Sequence, residues 1–121
     1  MNILLVAIGG AFGAVLRYIL STFLNNFFHF KFFIIGTLVV NIMGCFLIGV
    51  FYAIAKNLEF FSDFRLLIVV GFLGAFTTFS SITYESLELF KHSGFVAFSA
   101  NIILNLVFGL MATYFAINYI K

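Results

Sequence analysis

Residues able to do chemistry are concentrated in "GFLGAFTTFSSITYES", positions 71–86. Within it Gly71, Gly74, Thr77, Thr78, Ser80 and Ser81 fall in eleven residues, followed by Thr83 and Glu85. Outside it the carboxamides Asn41, Asn101 and Asn105 stand in otherwise apolar runs. Amides and hydroxyls donate hydrogen bonds without carrying charge. Such groups suit an ion that must shed water without being trapped by a fixed opposite charge. Aromatic edges add a weak positive pole and ring faces a negative one. Phe76 and Phe79 differ from the other Phe residues because they flank the hydroxyl run.

These groups sit in a chain that must be membrane-embedded. Of 121 residues, 64% are hydrophobic and 8% charged, and the mean hydropathy is +1.24. A small soluble domain leaves too much surface in water to hide such a composition. A net charge of +2 gives no nucleic-acid footprint. Single Cys45 allows no internal disulfide. His29 and His92 lie in loops without ligand-spaced partners, so no transition-metal centre is expected there. The N-terminal apolar stretch has no basic leader and reads as a retained span.

Crossing a bilayer takes about 20 apolar residues. The sequence predicts one domain, 1–121, of four transmembrane helices at about 2–24, 32–55, 64–90 and 94–120. Clustered glycines and hydroxyls weaken a helix and compete for its carbonyls. The third span is therefore expected to be broken in mid-membrane, a state tolerated where protein or a cavity satisfies the freed groups.

Each span carries a stripe at spacing four. These are Gly9, Gly13, Arg17 and Ser21; Thr37, Asn41, Cys45 and Gly49; Thr77, Ser81 and Glu85; and Asn101, Asn105, Gly109 and Thr113. Such stripes share a helix face and make packing seams in lipid. The three asparagines either tie the bundle together or line a wet path. Arg17 and Glu85 are the ionisable groups within the spans, Glu88 standing toward a helix end. Loop cations are nearly balanced. Lys56, Arg65 and Lys121 fall on one side, Lys31 and Lys91 on the other, with Arg17 nearer the second. A small bias predicts insertion in both orientations. Proteins of that kind can pair as antiparallel homodimers.

"GFLGAFTTFSSITYES", with "GGAFGAVLRY" at 9–18 and "GTLVVNIMGCFLIG" at 36–49, resembles the signature of the Fluc/CrcB fluoride channels. The resemblance covers essentially the whole chain. It implies a passive fluoride channel of the inner cell membrane, an antiparallel dual-topology homodimer with two pores. It also implies a structural Na⁺ at the dimer interface, held by backbone carbonyls of Gly74 and Thr77. Asn41 matches the pore asparagine and Phe79 the first ring of the pore pair. The second ring falls at Ile82, a departure that removes a polarised edge. Asn101 and Asn105 occupy the fourth-helix stripe where serines and a tyrosine are usual, and Ser80 and Thr83 complete the expected lining. Glu85 matches an acidic position that commonly follows the motif. The competing reading is a small multidrug-type antiporter. Such a protein is expected to carry a glutamate in its first helix, and this one has none.

Overall fold

A computed structural model describes residues 1–55 and 62–120. Two of the loop cations in the charge balance, Lys56 and Lys121, lie outside the described residues. Helix is the regular structure of the described chain. Helix α1 spans Asn2–Phe27 and α2 spans Ile35–Ala55. A composite run follows: α3 (Ser62–Phe64), a π-helix (Arg65–Leu73), α4 (Gly74–Phe76) and α5 (Phe79–Tyr119). Among the described residues, three helical runs are long and apolar enough to cross a bilayer: Asn2–Phe27, Ile35–Ala55 and Ser62–Tyr119.

The last run is 58 residues long, more than one crossing requires. It is also not straight. Gly94 has φ 83° and ψ −173°, a backbone region essentially reserved for glycine. The chain folds back there. Asn101 Nδ2 donates to Ser86 Oγ at 3.0 Å, although a straight helix would put those residues about 22 Å apart. Phe90 and Phe98, four residues before and after Gly94, meet edge to face at 6.0 Å. Helix α5 is thus a hairpin of two arms, 79–93 and 95–119.

α1 and the π-helix approach backbone to backbone. A Cβ at Gly9 would run into the Leu67 carbonyl, and one at Gly13 into the Phe72 carbonyl. Gly71 answers from the other side, where a Cβ would lie 2.8 Å from the Val6 carbonyl oxygen. Lipid supplies no hydrophobic drive between helices, so such close contact is what holds them. A π-helix in this place was not foreseen; the run "RLLIVVGFL" carries no signal for it. α2 packs against the second arm of α5 in the same manner. There a Cβ at Gly49 would meet Ala116 Cβ at 2.7 Å, and one at Gly109 would meet Cys45 Sγ at 3.1 Å.

Gly94 has open space around its missing side chain. Any cost of replacing it is therefore conformational. Gly94→Ala is expected to destabilise the protein by about 1–3 kcal/mol, read as a lower melting temperature in detergent. An unchanged melt would show that the hairpin does not need this backbone geometry.

Candidate functional site

The helical run is interrupted at two residues. Thr77 has φ −86° and ψ 155°, and Thr78 has φ −149° and ψ 120°. In a continuous helix the Thr78 N–H would donate to the Gly74 carbonyl. Here it donates to Asn41 Oδ1 at 2.9 Å. Asn41 Nδ2 returns a bond to the Thr78 carbonyl at 3.2 Å and a second to Asn105 Oδ1 at 3.1 Å. One carboxamide on α2 therefore satisfies both backbone groups of an extended residue. Thr78 in turn starts α5, its Oγ1 accepting from the Ser81 N–H at 3.2 Å. Thr77 bonds back to the Leu73 carbonyl through Oγ1 (2.9 Å) and N–H (3.0 Å). Its ψ turns its own carbonyl away from the helical direction.

Beside the interruption lies a cavity of about 520 Å³. Asn41, Gly44 and Cys45 of α2 form one wall. Gly74, Thr77, Thr78, Phe79 and Ile82 form the second, and Asn105, Gly109 and Thr113 the third. Its walls hold amides, hydroxyls, a thiol, a ring and aliphatics, with no carboxylate, ammonium, guanidinium or imidazole among the lining residues. Gly44 lets α2 meet the interruption, since a Cβ there would collide with Thr77 Cγ2. Phe79 is 78% exposed. Gly74 is also exposed, with only the Val69 carbonyl within reach of an added Cβ, at 3.6 Å.

The structure brings together Asn41, Gly74, Thr77, Phe79, Ile82 and Asn105 of the residues singled out in the sequence. It places the others elsewhere. Asn101 is 0% exposed and is absent from the cavity wall. It bonds Ser86 and accepts from the Ile34 N–H at 3.3 Å. Ser80 and Thr83 are exposed on the outer face of α5, where Ser80 Oγ meets Thr78 Oγ1 and Thr83 Oγ1 donates to the Ser80 carbonyl. Arg17 is half-exposed on α1 and outside the cavity wall. Glu85 Oε1 accepts a short bond from Thr37 Oγ1, while its Oε2 is buried with no partner among the described residues.

Sequence reasoning did not single out Ser86, which is fully buried; Thr113, placed on the fourth stripe, donates to the Cys45 carbonyl at 2.8 Å. A signal for Ser86 did exist. It stands eight residues before Gly94 and Asn101 seven after, so a reversal at Gly94 pairs them.

Helices packed through glycine seams around an uncharged cavity define a multi-pass membrane protein. Residues 4–117 match the family model described as "CrcB-like protein, Camphor Resistance (CrcB)". The chain belongs to this family. It is 44% identical over 116 residues to a protein of Thermosipho melanesiensis named fluoride-specific ion channel FluC, covering 95% of this chain and 92% of that one. A protein of the same name from Shewanella oneidensis is 43% identical over 113 residues, covering 93% and 90%. One from Shewanella baltica is 42% identical over the same length and shares. These relatives are named as channels, a class that performs no covalent chemistry.

Asn41→Leu removes all three of the bonds made by that carboxamide. Each orphaned Thr78 group is expected to cost on the order of 1–3 kcal/mol. The melting temperature should fall well below that of a lipid-facing Leu4→Ala control. Equal melts would show that the bracket contributes nothing to the fold.

Proposed function

We propose that this protein is a passive, fluoride-selective channel that lets the anion leave the cell down its electrochemical gradient. The observation that carries the reading is the charge-free cavity beside the helix interruption, in a chain whose relatives bear the name fluoride-specific ion channel. A fixed cation in such a cavity would hold the anion too tightly for conduction, whereas neutral donors do not. The first residue of α5, Phe79, lies on the cavity wall, so the positive end of that helix adds partial charge there. The Phe79 ring offers a polarised edge. Ile82 fills the next position with an aliphatic surface. Selectivity then rests on one ring with the amides of Asn41 and Asn105 on the cavity wall and, on the exposed face beside it, the hydroxyls of Ser80 and Thr83; Asn101, expected as a pore donor, ties the arms of α5 instead. Where those donors are already bonded within the chain, fluoride has to exchange for an existing partner.

In this reading the chain crosses the inner membrane four times, the first arm of α5 being the last part of the third crossing and the second arm the fourth. It works as an antiparallel homodimer with two pores. The exposed face bearing Gly74, Phe79, Ser80 and Thr83 meets the partner. A Na⁺ at that interface fits the residues present. The Gly74 carbonyl has lost the Thr78 N–H to Asn41, and the Thr77 carbonyl is turned out of the helix. Both are hard oxygen donors that need no carboxylate for such an ion. Gly74 and Thr77 of each copy would hold it. The ion would satisfy carbonyl oxygens that have lost their helical donors where two interruptions face each other. A proton-coupled antiporter is disfavoured by the absence of a carboxylate from the cavity lining.

Purified protein in liposomes, followed with a fluoride electrode, tests this. Fluoride is expected to leave at a rate proportional to protein. Phe79→Ile should slow efflux by up to about tenfold, the weight of one weak ring contact, while the elution volume stays unchanged. Absence of efflux from wild-type vesicles would end the channel reading, and unchanged flux in Phe79→Ile would remove that ring from the path. Replacing all Na⁺ with N-methylglucamine should lower activity; indifference to it would argue against the cation site.

A further inference from the structure

The buried amides form a chain of hydrogen bonds whose polarity is fixed at both ends. At one end Asn105 Nδ2 donates to the Asn101 backbone carbonyl at 2.9 Å. A carbonyl only accepts, so the NH₂ of Asn105 has to face it and its Oδ1 has to face Asn41. At the other end the Thr78 N–H only donates, so Oδ1 of Asn41 has to face it. The bond from Asn41 Nδ2 to Asn105 Oδ1 joins the two halves, and both are consistent with one orientation alone. Reversing either amide would set NH₂ against NH₂ or oxygen against oxygen.

We propose that Asn105 is a positioning residue: by accepting from Asn41 Nδ2 it fixes which way the Asn41 carboxamide points, and so keeps the backbone of Thr78 out of the helix. Asn105 is 5% exposed and Asn41 6%, so each amide shows only a sliver of its surface to the cavity and depends mainly on protein partners. An apolar residue at 105 leaves one buried N–H of Asn41 without an acceptor. The carboxamide is then held by its two bonds to Thr78 alone, and the Thr78 N–H opens more often. Ion passage and the geometry of Gly74 and Thr77 are thereby linked to a residue on the far arm of α5. This deepens the channel reading and rests on it for its consequence in flux, but not for its structural content.

Amide hydrogen exchange of the full-length protein in lipid nanodiscs tests the role without reference to fluoride. In Asn105→Leu the Thr78 amide is expected to exchange about tenfold faster or more, as for loss of a supporting hydrogen bond. Amides in α1 should stay within about twofold, because local opening does not spread to a separate seam. Asn105→Ala serves as a second variant should the leucine not fold, with the same expectation. A Thr78 rate within twofold of wild type in a folded variant overturns the proposal. So does a uniform acceleration of all amides, which would mark Asn105 as a general packing residue. In liposomes the Na⁺ concentration for half-maximal fluoride flux should rise about tenfold in the variant, by the same reasoning. If wild-type vesicles release no fluoride, the channel reading fails while the exchange result still decides the role of Asn105.

Discussion

Both backbone groups of Thr78 are held by one side chain, the carboxamide of Asn41. Everything distinctive about the cavity follows from that bracket. In a low-dielectric interior an unpaired N–H or C=O is expensive, so a helix leaves its own ladder only where another donor and acceptor replace the lost partners. Asn is suited to this because its planar amide offers one of each, spaced like a peptide group. With the bracket in place, Gly74 loses a helical partner, the Thr77 carbonyl turns outward, and a new helix starts at Phe79.

Around this point the bundle is built from close backbone contact. Gly9, Gly13 and Gly71 bring α1 against the π-helix, while Gly44, Gly49 and Gly109 bring α2 against the interruption and the second arm of α5. Polar side chains pin the remaining loose ends. Asn25 Oδ1 accepts from the Gly36 N–H at 2.8 Å and Asn101 Oδ1 from the Ile34 N–H, so side chains of two other helices complete the start of α2. The seams fix distance and the amides fix rotation. Together they leave a neutral cavity with an open side.

Much of this could be read from spacing. Residues four apart in α2 and α5 do mark the seam on which Asn41 and Asn105 meet, and the density of Gly, Ser and Thr near 77 is where the backbone departs from a helix. The chain reversal was legible in part, since Gly94 follows the short polar stretch "KHS". The π-helix was not, because nothing in the residue types of Arg65–Leu73 marks it. Nor could spacing divide the asparagines between tying and lining. Asn101 sits on the same stripe as Asn105, yet one turn toward Gly94 it meets Ser86 and Ile34 in place of the cavity. That difference depends on how the two arms of α5 close, which is a long-range fact.

Passive conduction of fluoride through a neutral path has a direct electrical signature. The zero-current potential of the protein in a planar bilayer, under a tenfold fluoride gradient with equal chloride on both sides, reports it. A selective passive path gives a potential near the fluoride equilibrium value, about 59 mV per tenfold for a one-charge process, and the value does not move when a pH gradient is imposed. A potential near zero would contradict selectivity, and one that tracks the pH gradient would contradict passive conduction.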